Sequence, residues 1–140
     1  MATPYDTVIR LQRRTLDAMR VDLATQVETA SRAQAAHAGV EAAMKDAHRE
    51  AAASPLLPSD RYLTRLRHER TMLAAANVSA NEQLHRLQAR MADAYGKARA
   101  IDIAADLYRE RIAQQSAAVE QQEMDELAAR KHAAARETKP

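Results

Sequence analysis

Histidine is the side chain of this sequence best suited to holding a metal ion, and the chain has five of them. A zinc site on a helix needs two such side chains about one turn apart, with carboxylates on the same face. No two of the histidines are three or four residues apart; they are His37, His48, His68, His85 and His132. Their spacing predicts histidines on the surface or between helices, and no metal site.

The sequence also lacks the arrangements on which most catalytic and nucleotide-binding sites depend. It has no cysteine nucleophile and no Gly-x-Ser-x-Gly segment. Its two glycines, Gly39 and Gly96, are too far apart to form a phosphate-binding loop. We therefore expect a protein that is not an enzyme and that binds no cofactor.

A cluster of apolar and charged residues lies near the carboxyl end of the sequence. Met124 and Leu127 are three residues apart, so on a helix they form a narrow apolar stripe. Asp125, Glu126 and Arg130 flank this stripe. An exposed apolar stripe usually marks contact with another protein or with a second copy of the chain.

Two groups of arginines are candidates for binding an acidic partner. Acidic residues are interleaved with both groups, and no exposed aromatic residues accompany them to stack on bases. The net charge of the chain is only +2. A solvated helix face or an acidic protein partner is therefore favoured over nucleic acid. The groups are Arg10, Arg13, Arg14 and Arg20, and Arg61, Arg65, Arg67 and Arg70.

Long helices are the elements that must position these side chains. The four prolines are at positions 4, 55, 58 and 140, and the only aromatic residues are four tyrosines. Much of the apolar content is alanine, which buries too little surface for a thick core but suits a thin seam between helices. The predicted fold is all-α, an elongated two-helix antiparallel coiled-coil hairpin forming a single domain over 1–140. Its parts are a first helix over about 4–53, a turn over 54–59, a longer second helix over about 60–135 and a frayed end over 136–140.

The predicted seam follows from alternating spacings of three and four residues, which are typical of a coiled coil. In the first helix the seam positions are Tyr5, Ile9, Gln12, Leu16, Met19, Leu23, Gln26, Ala30, Ala33, His37, Val40, Met44, Ala47 and Ala51. In the second they are Leu63, Leu66, Arg70, Leu73, Asn77, Ala80, Leu84, Leu87, Met91, Ala94, Ala98, Ile101, Ala105, Tyr108, Ile112, Gln115 and Val119. The register slips near residue 120, beyond which Met124 and Leu127 fall outside it.

The two predicted helices are unequal because the prolines lie off centre. Antiparallel pairing about the turn places residue 5 beside about residue 109, so the second helix outruns the first by about 20–30 residues, or roughly 30–45 Å. Ile112, Val119, Met124 and Leu127 would then face solvent. Such a helix is marginal in water unless a partner covers it.

The predicted tip of the hairpin carries a second candidate surface. Tyr62 falls outside the seam, on a flank near Glu69 and Leu73. Tyr62 either packs into the tip of the hairpin and plugs it, or contacts a partner. The same two alternatives hold for Leu56 and Leu57 in the turn.

These segments resemble the FliJ family, the stalk proteins of the flagellar type III export apparatus. The resemblance covers most of 60–132, while the first helix matches only in length and character. The most specific match is Gln121-Gln122-Glu123-Met124-Asp125-Glu126-Leu127-Ala128-Ala129-Arg130. The aromatic-aliphatic-x-x-Leu element of the family falls on Tyr62-Leu63-Thr64-Arg65-Leu66.

The resemblance implies a stalk that inserts into the hexameric export ATPase, touches the cytoplasmic domain of the export gate and escorts export chaperones. The residues implied at the ATPase ring are Met124, Asp125, Glu126, Leu127 and Arg130. Those implied at the export gate are Tyr62, Leu66, Glu69 and Leu73, although Glu69 and Leu73 replace an alanine and a histidine of the family.

The expected location is the cytoplasm, peripheral to the inner membrane at the export apparatus. Residues 1–20 lack the apolar stretch of a signal peptide, and no run of about 18 apolar residues could span a bilayer. Two alternatives stay open: the equivalent stalk of a virulence type III secretion system, and a generic dimeric coiled-coil tether with the unpaired end as its dimer seam. Neighbouring genes would identify the first, and sedimentation as a tight dimer the second.

Overall fold

The computed structural model describes residues 2–56 and 58–139, which form two helices and no strand. Helix α1 (Asp6–Ala53) has 48 residues and helix α2 (Asp60–Glu137) has 78. The predicted all-α fold, a helical hairpin with a longer second helix, is confirmed. Leu57 and Pro140, which belong to the predicted turn and frayed end, lie outside the described residues.

Helix α1 begins with a reciprocal cap between Thr3 and Asp6. The Thr3 backbone N–H donates to Asp6 Oδ2 at 2.8 Å, and the Thr3 hydroxyl donates to Asp6 Oδ1 at 2.6 Å. The Asp6 N–H donates back to the Thr3 carbonyl at 3.2 Å. Pro4 follows the capping residue, where its missing N–H removes no helical hydrogen bond. The cap therefore satisfies the backbone N–H groups of Thr3 and Asp6 where the helix begins.

The cap makes the stability of this helix end depend on pH. Hydrogen bonds from the Thr3 side chain and backbone, and the nearby Arg109, lower the pKa of Asp6 below its ordinary value of 3.8. A depressed carboxyl pKa stabilises the fold above the unfolded pKa and ceases to do so as pH falls through the folded pKa. We expect the wild type to be more stable than Asp6→Asn near neutral pH, with the gap narrowing below about pH 4.

Urea unfolding of both proteins at several pH values, followed by circular dichroism, measures this difference. Because every other carboxyl is shared by the two proteins, the difference isolates Asp6. A gap that widens in acid would contradict the proposed cap.

The connection between the helices consists of residues 54–59. The Ser54 N–H still donates to the Glu50 carbonyl at 2.9 Å, and the Leu63 N–H donates to the Ser59 carbonyl at 2.9 Å, so helical bonding reaches both edges of the turn. Pro55 and Pro58 stand between these bonds and cannot donate. The prolines therefore place the break in the helix.

The residues group into two compact units. One consists of Arg14–Tyr95, and the other of Met1–Arg13 with Gly96–Pro140. Within the first unit the helices run antiparallel: Glu41 approaches Arg70 at 4.0 Å, while Arg20, earlier in α1, bonds to Tyr95, later in α2.

The second unit joins the start of α1 to the later part of α2. The rings of Tyr5 and Tyr108 meet edge to face with centroids 6.2 Å apart. Beside them, Arg109 lies 3.7 Å from Asp6 and 2.9 Å from Asp106. These aromatic and ionic contacts attach the first turns of α1 to α2.

The predicted seam agrees with the burial of its residues up to Ile112. Every predicted position from Tyr5 to Ala51, and from Leu63 to Ile112, is buried or half-buried. The last two predicted positions, Gln115 and Val119, are exposed. Among the described residues, the buried apolar ones are Leu16, Ala30, Met44, Ala47, Leu63, Leu66, Ala80, Leu87, Met91 and Ala105.

The best-packed part of this thin core lies next to the turn. Met44 and Ala47 of α1 pack with Leu63 and Leu66 of α2 in one buried cluster, with Val40 and Ala43 against its edge. Three of its four buried members, Met44, Leu63 and Leu66, are large apolar residues at seam positions near the turn. The connection is therefore held closed mainly by apolar packing.

Candidate protein-contact surfaces

The first candidate surface is the overhang, which we define as residues 113–137 of α2. Every residue from 113 to 139 is exposed, and Ile112 is the last half-buried position before them. At 1.5 Å per residue the overhang is roughly 37 Å long. The predicted exposure of Val119, Met124 and Leu127 is confirmed, whereas Ile112, also expected to face solvent, is half-buried because the seam reaches it.

The Met-Leu stripe, Met124 with Leu127, is the principal apolar feature of the overhang. The side chains are 66 % and 51 % exposed. At 100° per residue they lie roughly a quarter of a turn away from the seam face that ends at Ile112. The stripe therefore does not continue the hairpin seam, and it offers a separate surface to a partner.

Polar groups beside the stripe are arranged by contacts within the helix. Gln121 Nε2 donates to Asp125 Oδ1 at 2.9 Å, and Arg130 lies 3.8 Å from the Glu126 carboxylate. These contacts hold two acids and one base close to Met124 and Leu127. All five residues assigned to the ATPase ring by resemblance are thus exposed on one segment of α2.

Charged residues that the sequence analysis did not single out also lie on the overhang. Glu120, Glu123 and Lys131 have no ion pair or hydrogen bond among the described residues. Their positions on either side of the Met-Leu stripe could have been found from the sequence, but their lack of partners could not. These charges are free to contact another molecule.

The second candidate surface surrounds Tyr62 at the start of α2. Tyr62 is 44 % exposed, and the Arg65 guanidinium lies over its ring, 5.4 Å from the centroid. Arg65 also approaches Glu69 at 4.0 Å, and Glu69 is exposed. Tyr62 is therefore exposed, with an arginine against its ring, and does not plug the tip. The expectation that no exposed aromatic residue accompanies the second arginine group was wrong, because Tyr62 lies beside Arg65.

Leu66 and Leu73 differ from Tyr62 and Glu69 in their surroundings. Leu66 is only 4 % exposed and belongs to the buried cluster beside the turn. Its side chain is therefore unavailable to a partner while the helices are paired. Leu73 is half-buried. The four residues assigned to the export gate by resemblance thus divide into two on the surface and two in or beside the seam.

Leu56 stands at the turn itself and is 97 % exposed. A side chain with that exposure makes no contribution to the core, so Leu56 does not close the tip. Leu56 and Tyr62 are two exposed apolar side chains near the turn. The same question for Leu57 lies outside the described residues.

Within the first arginine group, Arg20 contacts other side chains, whereas Arg10 and Arg13 form no ion pair with any described residue. Arg20 Nε donates to the Tyr95 hydroxyl at 3.0 Å, and its Nη1 lies 3.0 Å from Asp17. The bond to Tyr95 raises the pKa of Arg20 further above its ordinary value. Arg20 is therefore a structural link between α1 and α2.

The free arginines of this group face a groove that the sequence analysis did not foresee. Arg10 and Arg13 line it together with Arg99 of α2. None of the three has an ion pair among the residues that the structure describes. Asp102 and Asp106 line the same groove. Its mixed charges favour the reading of a solvated or protein-contacting face over a nucleic-acid site.

The second arginine group is partly neutralised. Arg65 and Arg70 approach Glu69 and Glu41 at 4.0 Å each. Such exposed pairs stabilise the fold by about 0–1 kcal/mol each. Their main effect is to lower the unpaired positive charge near the start of α2.

Metal sites and membrane-spanning stretches are both absent from the part of the chain that the structure describes. Among residues 2–56 and 58–139, no group of three or more histidine and carboxylate side chains is placed to share a metal ion. In the same ranges, neither helix contains a stretch apolar enough to cross a membrane.

No family model matches this chain, and neither curated proteins nor solved structures give a significant match.

Proposed function

We propose that this chain is a non-enzymatic stalk protein of flagellar type III export, similar to the FliJ family. In this proposal it works in the cytoplasm, peripheral to the inner membrane at the export apparatus. The overhang enters the hexameric export ATPase, and the surface near the turn meets the cytoplasmic domain of the export gate. Export chaperones are further partners in the same proposal.

The observation that carries the proposal is the overhang with its exposed Met-Leu stripe. A helix that leaves its partner at Ile112 and continues for about 25 residues in water gains little from burial within its own chain. Exposed apolar side chains on such a helix are typical of interaction surfaces. A ring with a central opening is a partner of suitable shape, because it can surround a single helix.

The chemistry of the stripe indicates what the ring must supply. Met124 and Leu127 would enter an apolar collar, and methionine adapts well to partners that change shape because its side chain is flexible. Asp125 and Glu126 would meet basic side chains of the ring. Such charge contacts determine orientation and association rate more than affinity.

The surface near the turn supplies the second contact of the stalk. The exposed face of Tyr62 and the carboxylate of Glu69 offer one aromatic and one acidic group to the gate. Leu66 enters this proposal as a residue that holds the surface in place from within the seam. Changing Tyr62 and changing Leu66 should therefore act on the gate by different routes.

The ring contact is tested with Met124→Asp combined with Leu127→Asp. Two carboxylates in place of the apolar stripe cannot enter an apolar collar without a large desolvation cost. We expect the variant to lose stimulation of the export ATPase of the same organism, with the rate falling to that of the ATPase alone. The measurement is phosphate release at saturating ATP, with wild type and variant added at equal concentrations.

Gln122→Asp combined with Ala129→Asp is the matched control. Both residues lie on the opposite face of the overhang, and this variant adds the same number of aspartates. It should stimulate as the wild type does, with equal helicity by circular dichroism. Full stimulation by the Met124 and Leu127 variant, or equal loss in both, would refute ring contact through the stripe.

A further inference from the structure

One face of the overhang has residue spacings that are the same when read from either end, with opposite charges at matching positions. Around a centre between Asp125 and Glu126, the spacings along one face are three, four, three, four and three. We name this face the extended stripe. From the amino end it consists of Ala117, Glu120, Met124, Leu127, Lys131 and Ala134.

We propose that the extended stripe binds a second copy of this chain, with the two overhangs antiparallel. In that arrangement Met124 lies against Leu127 of the second copy, and Glu120 lies against Lys131 of the second copy. Ala117 lies against Ala134 of the second copy, so the helices can approach closely at both ends. The two-fold symmetry makes each contact occur twice.

Charge complementarity selects this occupant and this direction. Glu120 and Lys131 have no partner among the described residues, so neither must break a contact to meet its counterpart. Glu123 and Arg130 flank the stripe and would form two further opposite-charge pairs between the copies, for which Arg130 exchanges its 3.8 Å contact with Glu126. In a parallel pair, Glu120 would face Glu120 and Lys131 would face Lys131, and both contacts would be repulsive.

The pairing is weak because each copy supplies only two large apolar side chains. It covers the Met-Leu stripe and therefore competes with any partner that uses the same side chains. The inference does not depend on the proposed ATPase contact. A stalk whose overhang is covered by its own copy would be released when a tighter partner binds.

Sedimentation equilibrium of the full chain at low ionic strength tests the pairing. We expect a reversible dimer of the wild type, weakened about tenfold by Glu120→Lys and about tenfold by Lys131→Glu, because each change makes both symmetric contacts repulsive. An equimolar mixture of the two variants should recover the affinity of the wild type. In that mixed dimer, each altered residue faces an opposite charge.

Arg136→Glu is the control, because Arg136 lies on the far side of the overhang from the extended stripe. It should leave the dimer unchanged. A wild type that stays monomeric to millimolar concentration would overturn the proposal, and so would a mixture that does not recover. If wild type mixed with Glu120→Lys associates best of all, the pairing is parallel and the antiparallel register is wrong.

Cysteine cross-linking gives a second, independent measurement, since the chain has no cysteine of its own. Ala117→Cys mixed with Ala134→Cys should form a covalent dimer on mild oxidation, because these positions face each other. Each variant alone should cross-link poorly, since its two cysteines would be roughly 25 Å apart along the pair. Equal cross-linking of the single variants would overturn the register. Neither sedimentation nor cross-linking involves the ATPase. A negative result in both would reject the dimer and leave the proposed ring contact untouched.

Discussion

Leu66→Ala should lower the free energy of unfolding by about 2–3 kcal/mol. Leu66 is 4 % exposed and packs with Met44, Ala47 and Leu63 in the cluster beside the turn. Leucine and alanine have similar helix propensities, so the loss reports packing between the helices and little else. Urea denaturation followed by circular dichroism measures it, and the effect is a large fraction of the stability of a small domain.

Leu107→Ala is the matched control, with the same substitution in the same helix at a residue that is 60 % exposed. Its effect should stay within about 0.5 kcal/mol. Equal losses at both positions would show that Leu66 is not buried in solution. If Leu66→Ala also weakens gate binding, its lower stability is a sufficient cause. Weaker gate binding by Tyr62→Ala at unchanged helicity would instead indicate direct contact.

Gln26→Leu should raise the free energy of unfolding by about 1–2 kcal/mol. Gln26 is a seam residue of α1, and its Oε1 atom is buried without a hydrogen-bond partner among the described residues. An unpaired buried acceptor destabilises the fold, and leucine would replace it with apolar surface of similar size. The measurement is again urea denaturation, now with a shift of the midpoint to higher urea.

Gln83→Leu provides the comparison for this gain. Gln83 lines the same shallow groove as Gln26 but is exposed, so its replacement should change the stability by less than about 0.5 kcal/mol. A loss of stability in the Gln26 variant would mean that this amide has a hydrogen-bond partner in solution. A gain at both positions would attribute the effect to helix propensity instead of burial.

The seam could be predicted closely because its signal is local and repeated. Residues from Tyr5 to Ala51 and from Leu63 to Ile112 follow one alternation of three and four, which a helix converts into a single face. The same alternation continues to Val119, yet burial stops at Ile112. The periodicity indicates which face of the helix a residue occupies. Whether that residue is buried depends also on whether the other helix is long enough to lie opposite it.

The candidate surfaces were predictable in part. Met124 and Leu127 stood out because they interrupt the seam register, and their exposure followed from the unequal helices. Leu66 had two assignments, one to the seam from its spacing and one to the gate from the family resemblance. Its burial agrees with the spacing, since a residue on the inner face of a helix pair cannot also be on the surface.

Contacts between distant parts of the chain were not predictable. Arg20 meets Tyr95 across 75 positions of sequence, and Arg99 joins Arg10 and Arg13 in one groove. Arginines are common along both helices, and no local rule selects which of them will meet. Their partners depend on the rotation and register of one helix against the other.

The sequence by itself determined that this protein has two long helices of unequal length, separated by a turn, with one apolar face on each. Prolines and the spacing of side chains decide these features because they act within a few residues along the chain. The tertiary structure alone decided that the seam ends at Ile112, that Leu66 is enclosed, and that Glu120 and Lys131 form no ion pair with any described residue. These depend on which distant side chains come together, and burial and ion pairing exist only once they have done so.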